Sequence, residues 1–133
     1  MPRKPNSRPA DACFVYFAEC ESFVKIGIAR DVYSRVHTLN TASPWPVRLL
    51  ASMAGGEREE RMLHKAFTRE GIHHRGEWFR REGLLASLLT AISAQPNPRA
   101  TRGAADQWWE DHLPLGRESL GTTRWQVYAN EMT

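Results

Sequence analysis

The sequence predicts an α+β domain, on three observations. Two Val/Tyr/Phe/Ile-rich runs flank a short polar turn, a third short apolar run lies between Pro and Gly, and segments of helical period separate and follow them. The first run covers Ala12 to Ala18 and the second Phe23 to Ile28, with Glu19 to Ser22 as the hairpin turn. Gly27 interrupts the strand pattern. Asp31 can then cap a helix whose Val32, Val36 and Leu39 recur at i, i+4 and i+7, ending near Asn40. Ser43, Pro44 and Pro46 form a turn before a third strand, Val47 to Met53, which Gly55 and Gly56 close. From Glu57 to about Glu70, Met62, Leu63, Ala66 and Phe67 repeat at helical spacing, and Gly71 supplies the stop. His73, His74 and Gly76 lead through Glu77, Trp78 and Phe79 to a third helix near Leu84 to Ile92, ending before Pro96. The order is β, β, α, β, α, α.

The 133 residues, 41% hydrophobic and 25% charged, suit one core of ordinary composition. Residues 1–11, with Pro2, Pro5 and Pro9 beside Arg3, Lys4 and Arg8, read as a disordered basic arm. Residues 12–94 read as the folded domain, and 95–133 as a linker followed by a Trp-rich extension. Trp108, Trp109 and Trp125 are expected to fold back onto the domain, the other reading being a docking surface for a partner protein or for stacked bases. No apolar run reaches the roughly 18 residues of a membrane span, and no secretory leader pattern appears. Cys13 and Cys20 make a poor disulfide framework, which points to free thiols and a cytoplasmic setting. Together with His73 and His74 they also lack the spacing of a zinc knuckle. A net charge of +3 permits nucleic-acid binding without requiring it.

The functional signal lies in polar residues on faces that the apolar pattern assigns to the core or its rim. Glu60 lies along the Leu63/Phe67 stripe of the second helix, with His64 one turn on. Arg35 falls between Val32 and Leu39, so its guanidinium emerges beside the inner face of the first helix. Lys25 and Tyr16 alternate with apolar neighbours in adjacent strands, and whether they share a face depends on the hairpin register. Each has a plain structural explanation as an ion pair, a core-edge histidine or a solvent-facing strand residue. Together they would supply a carboxylate for a hard divalent cation, a fork for a phosphate and a phenol or amine for proton handling. Phosphodiester hydrolysis needs those three things.

Val15-Tyr16-Phe17 and Lys25-Ile26-Gly27 resemble the two halves of the GIY-YIG endonuclease signature, in the KIG form of its phage-associated branch. Arg35 stands eight residues after Gly27, where that family keeps an arginine, and Glu60, Leu63, His64 and Phe67 resemble its E-x-x-L-H-x-x-F helix. Gly76, Glu77, Trp78 and Phe79 resemble its G-E-W-F motif, while the first glycine of the signature has no counterpart. The resemblance spans about residues 12 to 90. It implies a central three-stranded antiparallel sheet flanked by helices, and a nuclease that cuts DNA, whether duplex, branched or single-stranded, with one Mg²⁺ or Mn²⁺ ion. Under it Glu60 would be the metal ligand, Arg35 would hold the scissile phosphate, and Tyr16 would orient or deprotonate the attacking water. Lys25 replaces the family's second tyrosine and is the rival base. His64 would be a proton relay or a partner of Glu60. Arg30, Lys65 and Arg75 join Arg35 as expected DNA contacts, and Gly27, Glu77, Trp78 and Phe79 are assigned to packing. The competing class is a catalytically weak or inactive DNA-binding or protein-interaction module on the same scaffold.

Overall fold

A computed structural model describes residues 13–93, 104–113 and 125–128. The expected basic arm and most of the expected linker lie outside them. The chain runs β1 (Phe14–Cys20), β2 (Phe23–Ala29), α1 (Val32–Ala42), β3 (Arg48–Ala54), α2 (Glu57–Glu70), β4 (His73–Arg75), β5 (Trp78–Arg80), α3 (Gly83–Ser93), α4 (Ala104–His112) and β6 (Trp125–Val127).

The fold is α+β with an antiparallel sheet, but the sheet does not stop at three strands. The order is β4-β5-β2-β1-β3-β6, six in all, and the three expected strands form its centre. The short β4–β5 hairpin extends the β2 edge, and β6 covers β3. Pairing hides the free backbone groups of each central edge. Three-residue strands carry too little periodicity to be read from sequence.

The local signals of the central elements act as chemistry requires. Asp31 caps α1 by accepting from the Ser34 amide at 3.1 Å. Gly71 ends α2 in the left-handed region at φ 93°, and its amide donates to the carbonyls of Phe67 and Thr68. The turn after β1 takes only Glu21 and Ser22, which sets the register Tyr16↔Gly27 and Ala18↔Lys25.

That register decides the faces. Val15, Phe17, Val24 and Ile26 point to one side, where Leu63 and Phe67 of α2, Leu85, Leu88, Leu89 and Ile92 of α3, and Trp108 and Trp109 of α4 complete the main core. Tyr16, Ala18 and Ala29 point to the other, against Val32 and Val36 of α1. Lys25 and Gly27 therefore share Tyr16's face. Leu50 is the extra residue of a bulge where β1 pairs β3.

The C-terminal tryptophans belong to this core. Trp108 is 5% exposed, and Trp109 and Trp125 are fully buried. Trp125 lies near Phe17 and Trp108 near Phe67, with ring centroids 6.0 and 6.2 Å apart. Buried rings have no face left for a base or a partner, so the expectation that these three fold back holds.

Candidate active site

The site is built where β2 loses its outer partner. β5 pairs with Phe23, Val24 and Lys25 only. One residue on, the Ile26 amide donates to the Glu77 carbonyl at 3.0 Å, and the Ile26 carbonyl accepts from His64 Nε2 at 2.8 Å. Gly76, at φ 54°, makes the turn that brings Glu77 to this edge.

Gly27 leaves a gap at the same point. A Cβ there would stand 2.8 Å from the Tyr16 hydroxyl, 2.9 Å from its Cζ and 3.1 Å from Glu77 Oε1. The absent side chain thus leaves room for a phenol from one strand and a carboxylate from a distant turn on the same side of β2. Gly27→Ala should lower stability by about 1–3 kcal/mol, because the Tyr16 ring is fully enclosed and cannot step aside. A thermal melt indistinguishable from the parent's would contradict the close approach.

Tyr16 is 0% exposed, and its hydroxyl has no hydrogen-bond partner among the described residues. Burial raises its pKa above the ordinary phenol value, the nearby Arg35 guanidinium pulls it back, and Glu77 and Glu60 push it further up. Arg35 is thus near enough to the phenol to favour its ionised form. It is an exposed residue of α1, and no carboxylate pairs with it among the described residues.

Glu60 occupies the first turn of α2, where the helix dipole favours a negative charge. Its side chain is 14% exposed, and Oε2 is buried without a hydrogen-bond partner among the described residues. Burial, then the adjacent Glu77 carboxylate, raise its pKa above the ordinary carboxylate range, with His64 acting in the opposite sense. His64 Nε2 lies 3.9 Å from Glu60 Oε2, outside hydrogen-bond reach, and is already committed to Ile26. Its ring also meets Phe79 edge-on at 5.0 Å.

Lys25 Nζ donates to Glu77 Oε1 at 2.7 Å and lies 5.7 Å from the centre of the Trp78 ring. Tyr16, Lys25, Arg35, Glu60 and His64 therefore gather with Glu77 around one edge of β2. Phe79 is fully buried against His64 and Phe67, in keeping with a packing role. Glu77 departs from that assignment: its side chain is 44% exposed and faces the polar cluster. Its neighbour in sequence, Trp78, signals packing, whereas its own place depends on a backbone bond to a residue 51 positions away.

Of the expected DNA contacts, Arg30, Lys65 and Arg75 are exposed, one residue past the end of β2, on α2 and on β4. Lys65 lines a shallow groove with Arg61, His64, Thr68 and Arg69. Arg61 and Arg69, which sequence reasoning passed over, fall four residues to either side of Lys65 on that exposed face. Among the described residues no three His, Cys, Asp or Glu side chains gather as a metal cluster. Cys13 and Cys20 are free thiols.

Comparison with protein families matches residues 13–94, more than half of the chain, to the family described as the T5orf172 domain. No curated protein and no solved structure matches. The match ends before α4 and β6, which complete the core from outside it. Among the described residues no helix is long and apolar enough to cross a membrane.

Proposed function

Since the chain belongs to the T5orf172 domain family, which is phage-associated and nuclease-like, we propose that it is a metal-dependent endonuclease of the GIY-YIG type that hydrolyses DNA phosphodiester bonds. The observation that carries the reading is the buried, unpartnered Glu60 Oε2 beside an unpartnered Tyr16 hydroxyl and the Arg35 guanidinium. Stranding two polar atoms costs about 1–3 kcal/mol each, and such a cost is expected where a ligand will satisfy them.

The residues fit a hard divalent cation. Mg²⁺ commonly takes one or two carboxylates and completes its shell with water and phosphate oxygens, so a closed cluster of protein ligands is not required. Bound at Glu60, Mg²⁺ or Mn²⁺ would supply Lewis-acid stabilisation of charge developing on phosphate oxygens. Arg35 binds the scissile phosphate through its planar fork. Tyr16, kept a neutral phenol by burial, orients the attacking water by hydrogen bonding. Lys25 is the weaker candidate for base, because its amine is already a donor to Glu77. His64 fixes the edge of β2 beside Glu60 and acts as a positioning residue. Lys65, with Arg61 and Arg69, draws the nucleic-acid backbone towards the site through exposed positive charge.

Arg35→Ala should slow single-turnover cleavage by about 10²- to 10³-fold, the scale seen when one preorganised transition-state contact is lost. Arg35→Lys should recover only part of that, since a point charge replaces a fork. Parental rates in Arg35→Ala would remove the residue from the mechanism. Gel shifts in EDTA beside cleavage assays in Mg²⁺ and Mn²⁺ separate enzyme from binder: retention of DNA without products in either ion would make the chain a binding module.

A further inference from the structure

Sequence motifs place one acidic residue in this site, but the structure brings a second. We propose that Glu77 is the other carboxylate ligand of the divalent-cation site, opposite Glu60, with Lys25 holding it in position; this rests on the metal-dependent reading above.

Three observations support it. Glu77 is anchored through its backbone, since its carbonyl accepts from the Ile26 amide at 3.0 Å, and its Oε1 lies over Gly27, 3.1 Å from where a Cβ would stand. Lys25 holds that carboxylate on the same edge of β2 whose Ile26 carbonyl accepts from His64, one turn after Glu60, so both acids belong to one edge. Two carboxylates brought together repel unless they share a proton or positive charge lies between or beside them. Lys25 reaches Glu77 Oε1, whereas Glu60 Oε2 has no cation within hydrogen-bond reach among the described residues, because His64 stays 3.9 Å away with its nitrogen donated to Ile26.

The third observation is the phenol. Tyr16 is fully buried with its hydroxyl unpartnered, and that hydroxyl faces the same missing side chain as Glu77 Oε1, at 2.8 and 3.1 Å. A buried hydroxyl, a buried carboxylate oxygen and a more accessible carboxylate, gathered at one strand edge, are donors that suit a hard cation carrying several waters. With Oε1 engaged by Lys25, Oε2 of Glu77 is left for the ion. Lys25 then fixes the ligand's rotamer, as outer partners of metal-bound carboxylates do.

The test is Mn²⁺ binding to the whole chain, read from the loss of the free-ion signal in electron paramagnetic resonance. Wild type, Glu60→Gln, Glu77→Gln and Glu57→Gln are compared, each first checked for a parental circular-dichroism spectrum. Glu57 also acts on Glu60 through its charge but pairs with Arg61 at 3.3 Å on the surface of α2, so its replacement measures the effect of removing a surface charge outside the cleft. The expected result is a loss of at least about tenfold in affinity for Glu60→Gln and Glu77→Gln, with Glu57→Gln within about twofold. Parental Mn²⁺ affinity in Glu77→Gln, beside a loss in Glu60→Gln, would overturn the assignment of Glu77 and leave the nuclease reading standing. Equal losses in Glu77→Gln and Glu57→Gln would overturn it as well, reducing it to a general charge effect. A wild-type chain that neither binds Mn²⁺ at millimolar concentration nor cuts DNA would bring down the reading beneath it too.

Discussion

Glu60→Gln is expected to abolish DNA cleavage, by at least about 10³-fold in single turnover, and at the same time to make the protein more stable at neutral pH. The two effects have one cause. Glu60 is largely buried, one of its oxygens has no hydrogen-bond partner among the described residues, and the Glu77 carboxylate lies against it. Its carboxylate is therefore harder to form in the folded chain than in the unfolded one. A carboxyl group with a raised folded pKa contributes stability in its protonated form, fully present below the unfolded value and lost as pH rises through the folded one. At neutral pH the fold carries the penalty. Glutamine keeps the shape and removes the charge, so the melting temperature should rise by a few degrees, on the order of 1 kcal/mol. Melts in EDTA at about pH 4 and about pH 7 check the sign, since the unfolded carboxyl titrates near the lower value. The gain of Glu60→Gln over the parent must grow towards neutral pH. A gain confined to acid, or parental cleavage by the variant, would contradict the assignment.

The largest structural effect should come from the C-terminal segment. Trp109→Ala is expected to cost about 3–5 kcal/mol, because a fully buried indole is lost from the main core. That is a large part of the 5–15 kcal/mol typical of a whole domain. Removing residues 96–133 takes Trp108 and Trp125 as well and strips β6 from the β3 edge, leaving apolar surface and unpaired backbone groups exposed. The truncated chain should fail to fold cooperatively, as judged by calorimetry or the near-ultraviolet spectrum. Trp109→Phe should be far milder, since the indole N–H has no hydrogen-bond partner among the described residues and its loss offsets part of the lost area. A sharp parental melt in the truncated chain would show that the tail only decorates a finished core.

The two predictions draw on different depths of information. Glu60 could be singled out from spacing because a carboxylate on the Leu63/Phe67 stripe of an amphipathic helix is a local anomaly. α2 was legible to the residue for the same reason: an apolar repeat bounded by Gly56 and Gly71 is complete within its own segment. α4 carries a similar repeat in Ala105, Trp108 and Trp109, but nine residues beside a Pro- and Gly-containing stretch read as a tail. β4, β5 and β6, at three residues each, have no readable period. They exist as strands because a neighbouring edge offers them hydrogen bonds.

By itself, then, the chain determined what short-range chemistry controls: the central hairpin, the caps and stops of α1 and α2, and which residues break the apolar pattern. Whether Tyr16 and Lys25 share a face was settled by a two-residue turn that sets the pairing register. That Glu77 joins them was settled by one backbone bond between β2 and a hairpin far along the sequence. Side-chain periodicity reports only on a residue's own element, whereas a catalytic cleft is made by the tips of several elements. Its geometry follows from pairing and packing between distant segments, and it comes into being only when the sheet closes.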